Sequence, residues 1–409
     1  MKSIRQEDVG KQGQRLEDLD LRVELIQGLI PLGLRCVQEE LEQEVRTLAG
    51  ERYARKGERF EQVRWGKQRG SVYLRDQKLP VLVPRVRARE GGPEVPLQSY
   101  ELLQRPFRED EGVLRRILRG LSCRDYRVCA EAVPEAFGLS SSTMSRRYLR
   151  ASVRKLRQLC ERKLGGYDFV VLFLDGKTFR DDEIVVALGV TLTGRKVILG
   201  LVQTATENEG VVKEFLQGLL ERGFKAGPGL LCVLDGAKGL RKAVLKALPG
   251  AAIQRCQWHK RENVVRYLPK SQQPIFRQKL QRAYQQPEYP QAREALGRIR
   301  KELQGLNESA VKSLDEGLEE TLTLHRLGLF AQLGESLKTS NCIESLLAQV
   351  SQWTRKVDYW RNSSQKQRWA AAALLEIEPR LRRVKGYRYL PQLRTALLAR
   401  KEVMSLEAA

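Results

Sequence analysis

The sequence predicts an α/β protein with a mixed β-sheet at its centre and a helical region in front of it. From residue 166 onward, apolar strand-like segments follow one another in "YDFVVLFLDGKTF" and "EIVVALGVTLTGRKVILGLVQ". After them, helical and strand-like segments alternate as far as a short strand at residues 251–255. Strands that come first in succession and then alternate with helices favour a sheet whose later strands run parallel.

The first 120 residues predict a helix followed by short strands. Residues 17–49 carry leucine, isoleucine and valine at helical spacing. Residues 71–88 alternate Val and Leu around two prolines, a pattern typical of edge strands or a hairpin. The segment "EGGPEVP" that follows is expected to be a loop.

Residues 125–163 have the pattern of a helix-turn-helix. A first helix ends at Phe137 and Gly138, and Ser140 begins a serine run that can cap a second helix. The second helix of such a motif enters the major groove of DNA, and four of its residues are predicted to bind DNA: Ser142, Arg146, Arg147 and Arg150. The alternative is an ordinary helical hairpin with a solvated basic face, and Pro134 would kink the first helix.

Composition favours a polyanionic partner. The chain has 409 residues, of which 42% are hydrophobic, a length that suits two to four domains. Lys and Arg outnumber Asp and Glu by 73 to 50, giving a net charge of +23. A basic protein without such a partner is the alternative.

The sequence predicts a cytoplasmic protein. Its longest central apolar run, residues 169–174, is far too short to span a membrane, and the first ten residues lack the apolar core of a signal peptide. Seven scattered cysteines are typical of reduced thiols.

Two predicted strands end in the same way. In "LFLDGK" the predicted strand ends at Asp175, and in "CVLDGAK" it ends at Asp235. A lysine follows each aspartate within three residues: Lys177 in the first motif and Lys238 in the second. Ligands of open sheets gather beyond the carboxyl ends of strands, and two facing carboxylates there favour Mg²⁺ or Mn²⁺. Each Asp-Gly pair is, alternatively, a turn signal.

A third acid is available at Glu344. In "TSNCIES", Ser340 and Asn341 can cap a helix, and Glu344 then lies one turn inside it. The alternative is that Glu344 complements the helix dipole.

The segment "CQWHK" contains Cys256 and His259 in a Cys-x-x-His spacing. A zinc site needs about four ligands, and no second Cys or His pair lies nearby. The other histidine, His325, lies in a leucine-rich context and is expected to be a packing residue. We therefore expect no zinc.

The motifs "FLDGKTF", "VLDGAKGL", "CQWHK" and "TSNCIES" resemble, in this order, those of the bacterial Mutator-type insertion-sequence transposases. These are DDE transposases with an RNase H-like catalytic domain. The resemblance also covers "RGSVYLRDQKLPVLVPRVR" and "FGLSSSTMSRR", and thus most of the chain to about residue 375.

The resemblance implies that Asp175, Asp235 and Glu344 are catalytic and hold two ions of Mg²⁺ or Mn²⁺, with Asp175 bridging them. The gap from Asp235 to Glu344 is too long for a bare core of this kind, and it implies an all-helical insertion at residues 264–336. Cys256 and His259 match the family's Cys-x-x-His motif. They are expected either to brace the active site, with His259 in contact with the scissile region, or to form a structural pair that has no role in catalysis.

The resemblance implies DNA as the partner, both as terminal inverted repeats and as target. Pairing of two DNA ends implies at least a homodimer. The protein is expected to associate with the nucleoid when it is bound to DNA. Trp258 and Lys260 are expected to stack on or hold DNA. Residues 353–369 interleave aromatic and basic side chains, which include the predicted DNA contacts Arg355 and Lys356. Aromatic residues at such spacing also occur in cores.

The predicted division of the chain has six parts. They are a dimerisation and DNA-contact region (1–120), a helix-turn-helix-like region (121–165), the first part of an RNase H-like core (166–263), the helical insertion (264–336), the final catalytic helix (337–376) and a basic tail (377–409). The leading hypothesis is a transposase that cleaves and transfers DNA strands. The alternatives are a nuclease or resolvase without strand transfer and a domesticated DNA-binding regulator, against which the three intact acids argue.

Overall fold

A computed structural model describes most of the chain. The described residues are 32–53, 60–74, 77–105, 109–126, 129, 137–179, 182–204, 208–227, 229–355, 357, 360 and 362–407. They form two compact units, Met1–Ala151 and Ser152–Ala409, which are considered separately.

The first unit contains helix α1 (residues 32–49) and an antiparallel sheet of β1 (Gln62–Leu74), β2 (Gln77–Ala88) and β3 (Glu94–Val95). One face of α1, with Leu41 and Val45, packs on the alternating apolar residues of β2. The predicted hairpin is confirmed, although β1 begins well before position 71. The part of the predicted helix before residue 32 lies outside the described residues.

Within the described part of the chain, three more helices follow: α2 (Gln98–Leu103), α3 (Glu109–Leu118) and α4 (Ser141–Cys160). Gly138 has a φ of 82°, and the Ser140 hydroxyl accepts the backbone N–H of Thr143 at 3.3 Å, so that the start of the basic helix is as predicted. The residues 127, 128 and 130–136, where the predicted first helix falls, lie outside the described ones.

The second unit is built on a five-stranded mixed sheet. Its strands are β4 (Phe169–Phe179), β5 (Asp182–Thr191), β6 (Lys196–Thr204), β7 (Leu231–Leu234) and β8 (Ala252–Arg255). Their order is β6-β5-β4-β7-β8, with β4, β5 and β6 antiparallel and β7 and β8 parallel to β4. The prediction of a mixed sheet with parallel later strands is confirmed.

Helices α5 (Glu209–Glu221) and α6 (Lys238–Ala247) cover one face of this sheet. Every second residue of β4 points to that face, so that Leu172 and Leu174 pack with Leu216 and Leu240 in one core. Both β4 and β7 are buried on their two faces, which explains their uninterrupted apolar runs.

A helical segment follows β8. It consists of α7 (Gln257–Val265), α8 (Gln273–Tyr284), α9 (Tyr289–Gln304), α10 (Glu308–Asp315), α11 (Leu318–Thr321) and α12 (Thr323–Arg326). These helices bury a core of their own, in which Val264, Leu280, Leu296 and Leu314 are fully covered. His325 of α12 is buried and stacks on Phe330, as expected of a packing residue.

The remaining helices cover the second face of the sheet. They are α13 (Phe330–Leu337), α14 (Asn341–Thr354), α15 (Ser363–Ile377) and α16 (Leu390–Glu407). Ile343 and Leu347 of α14 share a core with Phe173 of β4 and Leu393 of α16. The segment predicted to be a basic tail includes α16, which packs Leu390, Leu393 and Leu397 into that core.

Among the described residues, no helix has the length and apolarity required to cross a membrane. All seven cysteines are described, and each is a free thiol.

Candidate active site

Asp175 and Asp235 occupy equivalent places on neighbouring parallel strands. Leu174 of β4 pairs with Leu234 of β7, and each aspartate is the next residue along its strand. Asp175 is almost completely buried, with 7% of its surface exposed, whereas Asp235 is partly exposed. The sheet therefore brings the two carboxylates to one place, where the pairing of β4 with β7 ends.

The two Asp-Gly pairs differ in conformation. The second leaves its strand as predicted: Gly236 has a φ of 111°, and the Asp235 carboxylate accepts the backbone N–H of Ala237 at 2.9 Å. The first is not a turn, because Asp175 and Gly176 stay within β4 and pair with Val186 and Val185. The prediction that β4 ends at Asp175 is wrong, because β5 pairs with it as far as Phe179.

Glu344 joins the two aspartates from helix α14. It lies in the first turn, and the apolar face of the helix, with Ile343 and Leu347, packs into the core beneath β4. Burial, followed by the charges of Asp235 and Glu344, raises the pKa of Asp175 from 3.8 to about 7. Asp235 and Glu344 thus lie close enough to Asp175 to disfavour the charged form of its carboxyl group.

Ser340 connects Glu344 to the Cys-x-x-His motif. Its hydroxyl donates to Oε1 of Glu344, and the hydroxyl oxygen lies 3.3 Å from Nδ1 of His259. Its backbone N–H donates to Sγ of Cys256 at 3.4 Å. The fully buried Ser340 is the N-cap residue of α14, as predicted, but its hydroxyl serves these side chains instead of a backbone N–H.

Cys256 and His259 form a hydrogen-bonded pair beside Glu344. Burial opposes ionisation of the Cys256 thiol, but hydrogen bonds from His259 and Ser340 outweigh it and lower the thiol's pKa. The hydrogen bond to Cys256 raises the pKa of His259 to about 9 against the effect of burial, with help from the charges of Cys256, Glu344 and Asp235. The imidazolium therefore lies 3.8 Å from the Glu344 carboxylate.

Glu183 is an additional acid that the sequence reasoning missed. It is partly buried at the start of β5, and its carboxylate lies over Gly176, where the Cβ of any other residue would collide with it. Burial and the charge of Asp235 raise its pKa. The hairpin itself was the signal, because a β4 that continues past Asp175 must pair with the start of β5, where Glu183 lies opposite Thr178.

Several predicted DNA-binding side chains are accessible. In the first unit, Ser142, Arg146 and Arg150 are exposed on α4. In the second unit, Lys238, Trp258 and Arg355 are exposed, and Lys177 is partly exposed. Trp258 is 47% exposed, and its ring lies edge-on to the His259 ring with 4.8 Å between the ring centroids. Lys356 lies outside the described residues.

Two predicted DNA contacts are buried. Only 2% of Lys260 is exposed, and its ammonium donates to the carbonyls of Ser313 and Glu316 at 2.6 Å each, near the end of α10. Arg147 is 3% exposed. Burial keeps both side chains away from solvent in this conformation of the chain, and their contact with DNA stays a prediction.

The aromatic and basic region at residues 353–369 is also partly structural. Lys366 is buried and pairs with Asp182, and Trp369 is buried against the edge of Trp360. Core packing, the alternative for this region, therefore holds for Trp369, while Arg355 stays exposed.

Comparison with known proteins assigns the chain to a family. The model of "Transposase, Mutator family" matches residues 11–380. This chain belongs to the Mutator family of transposases. The match covers both units, the three acids and the Cys-x-x-His motif, so that the resemblance drawn from those motifs is confirmed.

Individual members of the family are distant relatives of this chain. The transposase for insertion sequence element ISRM5 of Rhizobium meliloti is 28% identical over 364 residues, or 85% of this chain and 88% of that protein. The transposase for insertion sequence element IS6120 of Mycolicibacterium smegmatis is 31% identical over 241 residues, covering 57% and 73%. The transposase for insertion sequence element IS256 in transposon Tn4001 of Staphylococcus aureus is 28% identical over 194 residues, covering 47% and 48%.

Proposed function

We propose that this protein is the transposase of an insertion sequence, which cleaves DNA at the element's terminal inverted repeats and transfers the strands to a target. The proposed catalytic residues are Asp175, Asp235 and Glu344. The observation that carries the proposal is that paired strands β4 and β7 and the helix α14 packed on β4 bring together three carboxylates that lie far apart along the chain. The charges of Asp235 and Glu344 accordingly contribute to the raised pKa of Asp175.

The three carboxylates fit a hard divalent cation. A buried aspartate beside two other acids is unfavourable in its charged form, and a cation bound to their oxygens would relieve that repulsion. The proposed ions are Mg²⁺ or Mn²⁺, with Asp175 between the other two acids. When bound, such ions supply activation of the attacking oxygen and neutralisation of charge on the leaving oxygen.

The chain's own residues hold the acids in place. Asp175 is fixed by its pairing with Val186 of β5 and by the pairing of the preceding Leu174 with β7. Asp235 is fixed by the hydrogen bond that it accepts from the N–H of Ala237. Ser340 holds one oxygen of Glu344, and the nearby His259 balances part of its charge. Rigid elements of this kind keep reacting groups near the productive geometry without reorganisation.

The second unit supports an RNase H-like architecture. Its central strand carries the first acid, the parallel β7 the second and a helix packed on β4 the third. The helical segment from α7 to α12 has its own core and separates β8 from α14, as an insertion at residues 264–336 requires. The division of the chain at residues 120, 165, 263, 336 and 376 is part of this proposal.

Two surfaces are proposed to hold DNA. In the first unit, the exposed side of α4 with Ser142, Arg146 and Arg150 would bind the inverted repeats. In the second unit, exposed cations such as Lys238 follow the acid-bearing strands, where phosphate groups would lie. Pairing of two DNA ends by a dimer or larger assembly is part of the proposal.

A strand-transfer assay with the purified full-length protein tests this function. The substrate is a labelled duplex with one element end and its flanking DNA, incubated with target DNA and Mg²⁺ or Mn²⁺. We expect cleaved and joined products from the wild type, and neither product from Asp235→Ala, which still binds the end. Glu214→Gln, a change of an exposed acid on α5, is the matched control and retains both activities.

Three outcomes would contradict the proposal. Cleavage without joined products would indicate a nuclease or resolvase. Cleavage by Asp235→Ala at the wild-type rate would exclude this site. Loss of end binding together with cleavage in Asp235→Ala would show that Asp235 has a structural role.

A further inference from the structure

A thiol, an imidazole and a carboxylate converge beside the proposed catalytic acids. The ligand atoms of Cys256, His259 and Glu344 all lie within 4.8 Å of one another. Cys256 and His259 lie at the start of α7, whereas Glu344 lies on α14, beyond the whole helical segment that follows α7. The sequence could not show this group, because its third member is remote.

The three atoms suit a soft or borderline divalent ion. Zinc binds sulfur at about 2.3 Å and nitrogen or oxygen at about 2.0 to 2.2 Å in a tetrahedron, which places ligand atoms about 3.3 to 3.6 Å apart. Nδ1 of His259 and Oε1 of Glu344 are already 3.8 Å apart. No pair needs to approach by more than about 1.5 Å (4.8 − 3.3), a movement that side-chain rotation provides.

The surroundings support ligation. The hydroxyl of Ser340 donates to Glu344 and lies 3.3 Å from Nδ1 of His259, and its N–H donates to Sγ of Cys256, so that one residue orients all three ligands. Cys256 is fully buried, but 29% of the His259 side chain and 37% of the Glu344 side chain are exposed. A water molecule can therefore supply the fourth ligand from the open side.

We propose that Cys256, His259 and Glu344 form a binding site for Zn²⁺, and that zinc bound there inhibits strand transfer by holding Glu344. This inference rests on the proposed catalytic function of Glu344. A thiolate ligand makes the site selective for zinc over Mg²⁺, which prefers oxygen ligands alone. The Glu344 oxygen next to His259 is the one that zinc would take, which withdraws that carboxylate from Asp175 and Asp235.

Cobalt titration of the metal-free, reduced full-length protein tests the site without reference to activity. Co²⁺ substitutes for zinc, and a bound thiolate produces a sulfur-to-cobalt charge-transfer band and intense tetrahedral visible bands. We expect these bands to saturate at one equivalent and to disappear when zinc is added. Cys256→Ser should remove the charge-transfer band, while Cys342→Ser, the matched change of a thiol on α14, should retain it.

Ser340→Ala provides a second test, in case Cys256→Ser fails to fold. Loss of a residue that orients metal ligands weakens binding by about 10- to 100-fold, and the thiolate itself remains. Wild-type protein without the charge-transfer band would overturn the proposal, as would a band that Cys256→Ser leaves intact or a cobalt affinity that Ser340→Ala leaves unchanged.

Asp175→Ala separates this inference from the proposed function. Asp175 is not a member of the zinc site, so this variant should bind cobalt as the wild type does but transfer no strands. If the wild type binds cobalt at Cys256 but lacks Mg²⁺-dependent strand transfer, the proposed function fails and the metal site stands. If strand transfer proceeds at full rate with zinc bound at Cys256, the inhibitory role is excluded.

Discussion

In the metal-free protein, Asp175→Asn is expected to raise the free energy of unfolding at alkaline pH. Asp175 is 7% exposed, and burial together with Asp235 and Glu344 raises its pKa from 3.8 to about 7. Asparagine keeps the shape of the side chain and removes the buried charge. Its amide oxygen can still accept the hydrogen bond from the backbone N–H of Gly176.

The size and the pH range of the effect follow from linkage. Because the folded pKa exceeds the unfolded one, the folded chain keeps a proton between pH 3.8 and about 7 that the unfolded chain has released. The free energy of unfolding of the wild type therefore falls as pH rises through this range, and the whole loss is present above it. A pKa difference of about 3, at about 1.36 kcal/mol for each unit, sets an upper limit of about 4 kcal/mol.

Urea unfolding followed by circular dichroism, with a chelator present, measures this effect. The stability advantage of Asp175→Asn over the wild type should widen by about 2 kcal/mol between about pH 5.5 and about pH 8.5, since roughly 1.5 units of the range remain above pH 5.5. Glu214→Gln, which removes an exposed carboxylate, should show no such widening. An advantage that does not change with pH, or an asparagine variant less stable than the wild type at pH 8.5, would refute the reasoning.

Other predictions concern cations and one glycine. Lys260→Met should lower the free energy of unfolding by about 2 to 3 kcal/mol, because two carbonyls lose a buried charged donor, while DNA affinity stays unchanged. Unfolding by urea and a DNA-binding titration measure the two effects, and Lys270→Met is the exposed control. Arg146→Ala should weaken DNA binding and reduce the slope of log affinity against log salt concentration by about 0.9, because one exposed cation is lost. Arg147→Ala should leave that slope unchanged, because Arg147 is buried, and a reduced slope would contradict this expectation. Gly236→Ala should lower the free energy of unfolding, measured with urea, by about 1 to 3 kcal/mol, because the φ of 111° at Gly236 and the nearby Arg255 guanidinium oppose a side chain. An unchanged free energy of unfolding would show that the backbone at Gly236 is not constrained.

The sheet could be predicted from the sequence because its strands are buried on both faces. Short continuous apolar runs such as residues 169–174, bounded by turn residues, are typical of central strands. The end of β4 could not be predicted in this way. Residues 176–179 are polar or small in part, and they remain a strand because β5 pairs with them, a contact that local sequence does not encode.

The candidate site was predictable only in part. Asp175 and Asp235 follow from strand ends, but Glu344 was assigned by family resemblance, since nothing in its own segment distinguishes it from a residue that complements a helix dipole. The burial of Lys260 could not be predicted, because lysine is usually exposed. The carbonyls of Ser313 and Glu316 that hold it are supplied by α10 and the residue after it, a distant part of the chain.

The position of Glu344 behind the helical segment has a consequence for biosynthesis. A growing polypeptide displays Asp175 and Asp235 on finished strands well before Glu344 leaves the ribosome, since the helices α7 to α12 are made in between. Translation at roughly 5 to 20 residues per second makes this interval on the order of ten seconds. A nascent or prematurely terminated chain therefore carries an incomplete set of the three proposed catalytic acids.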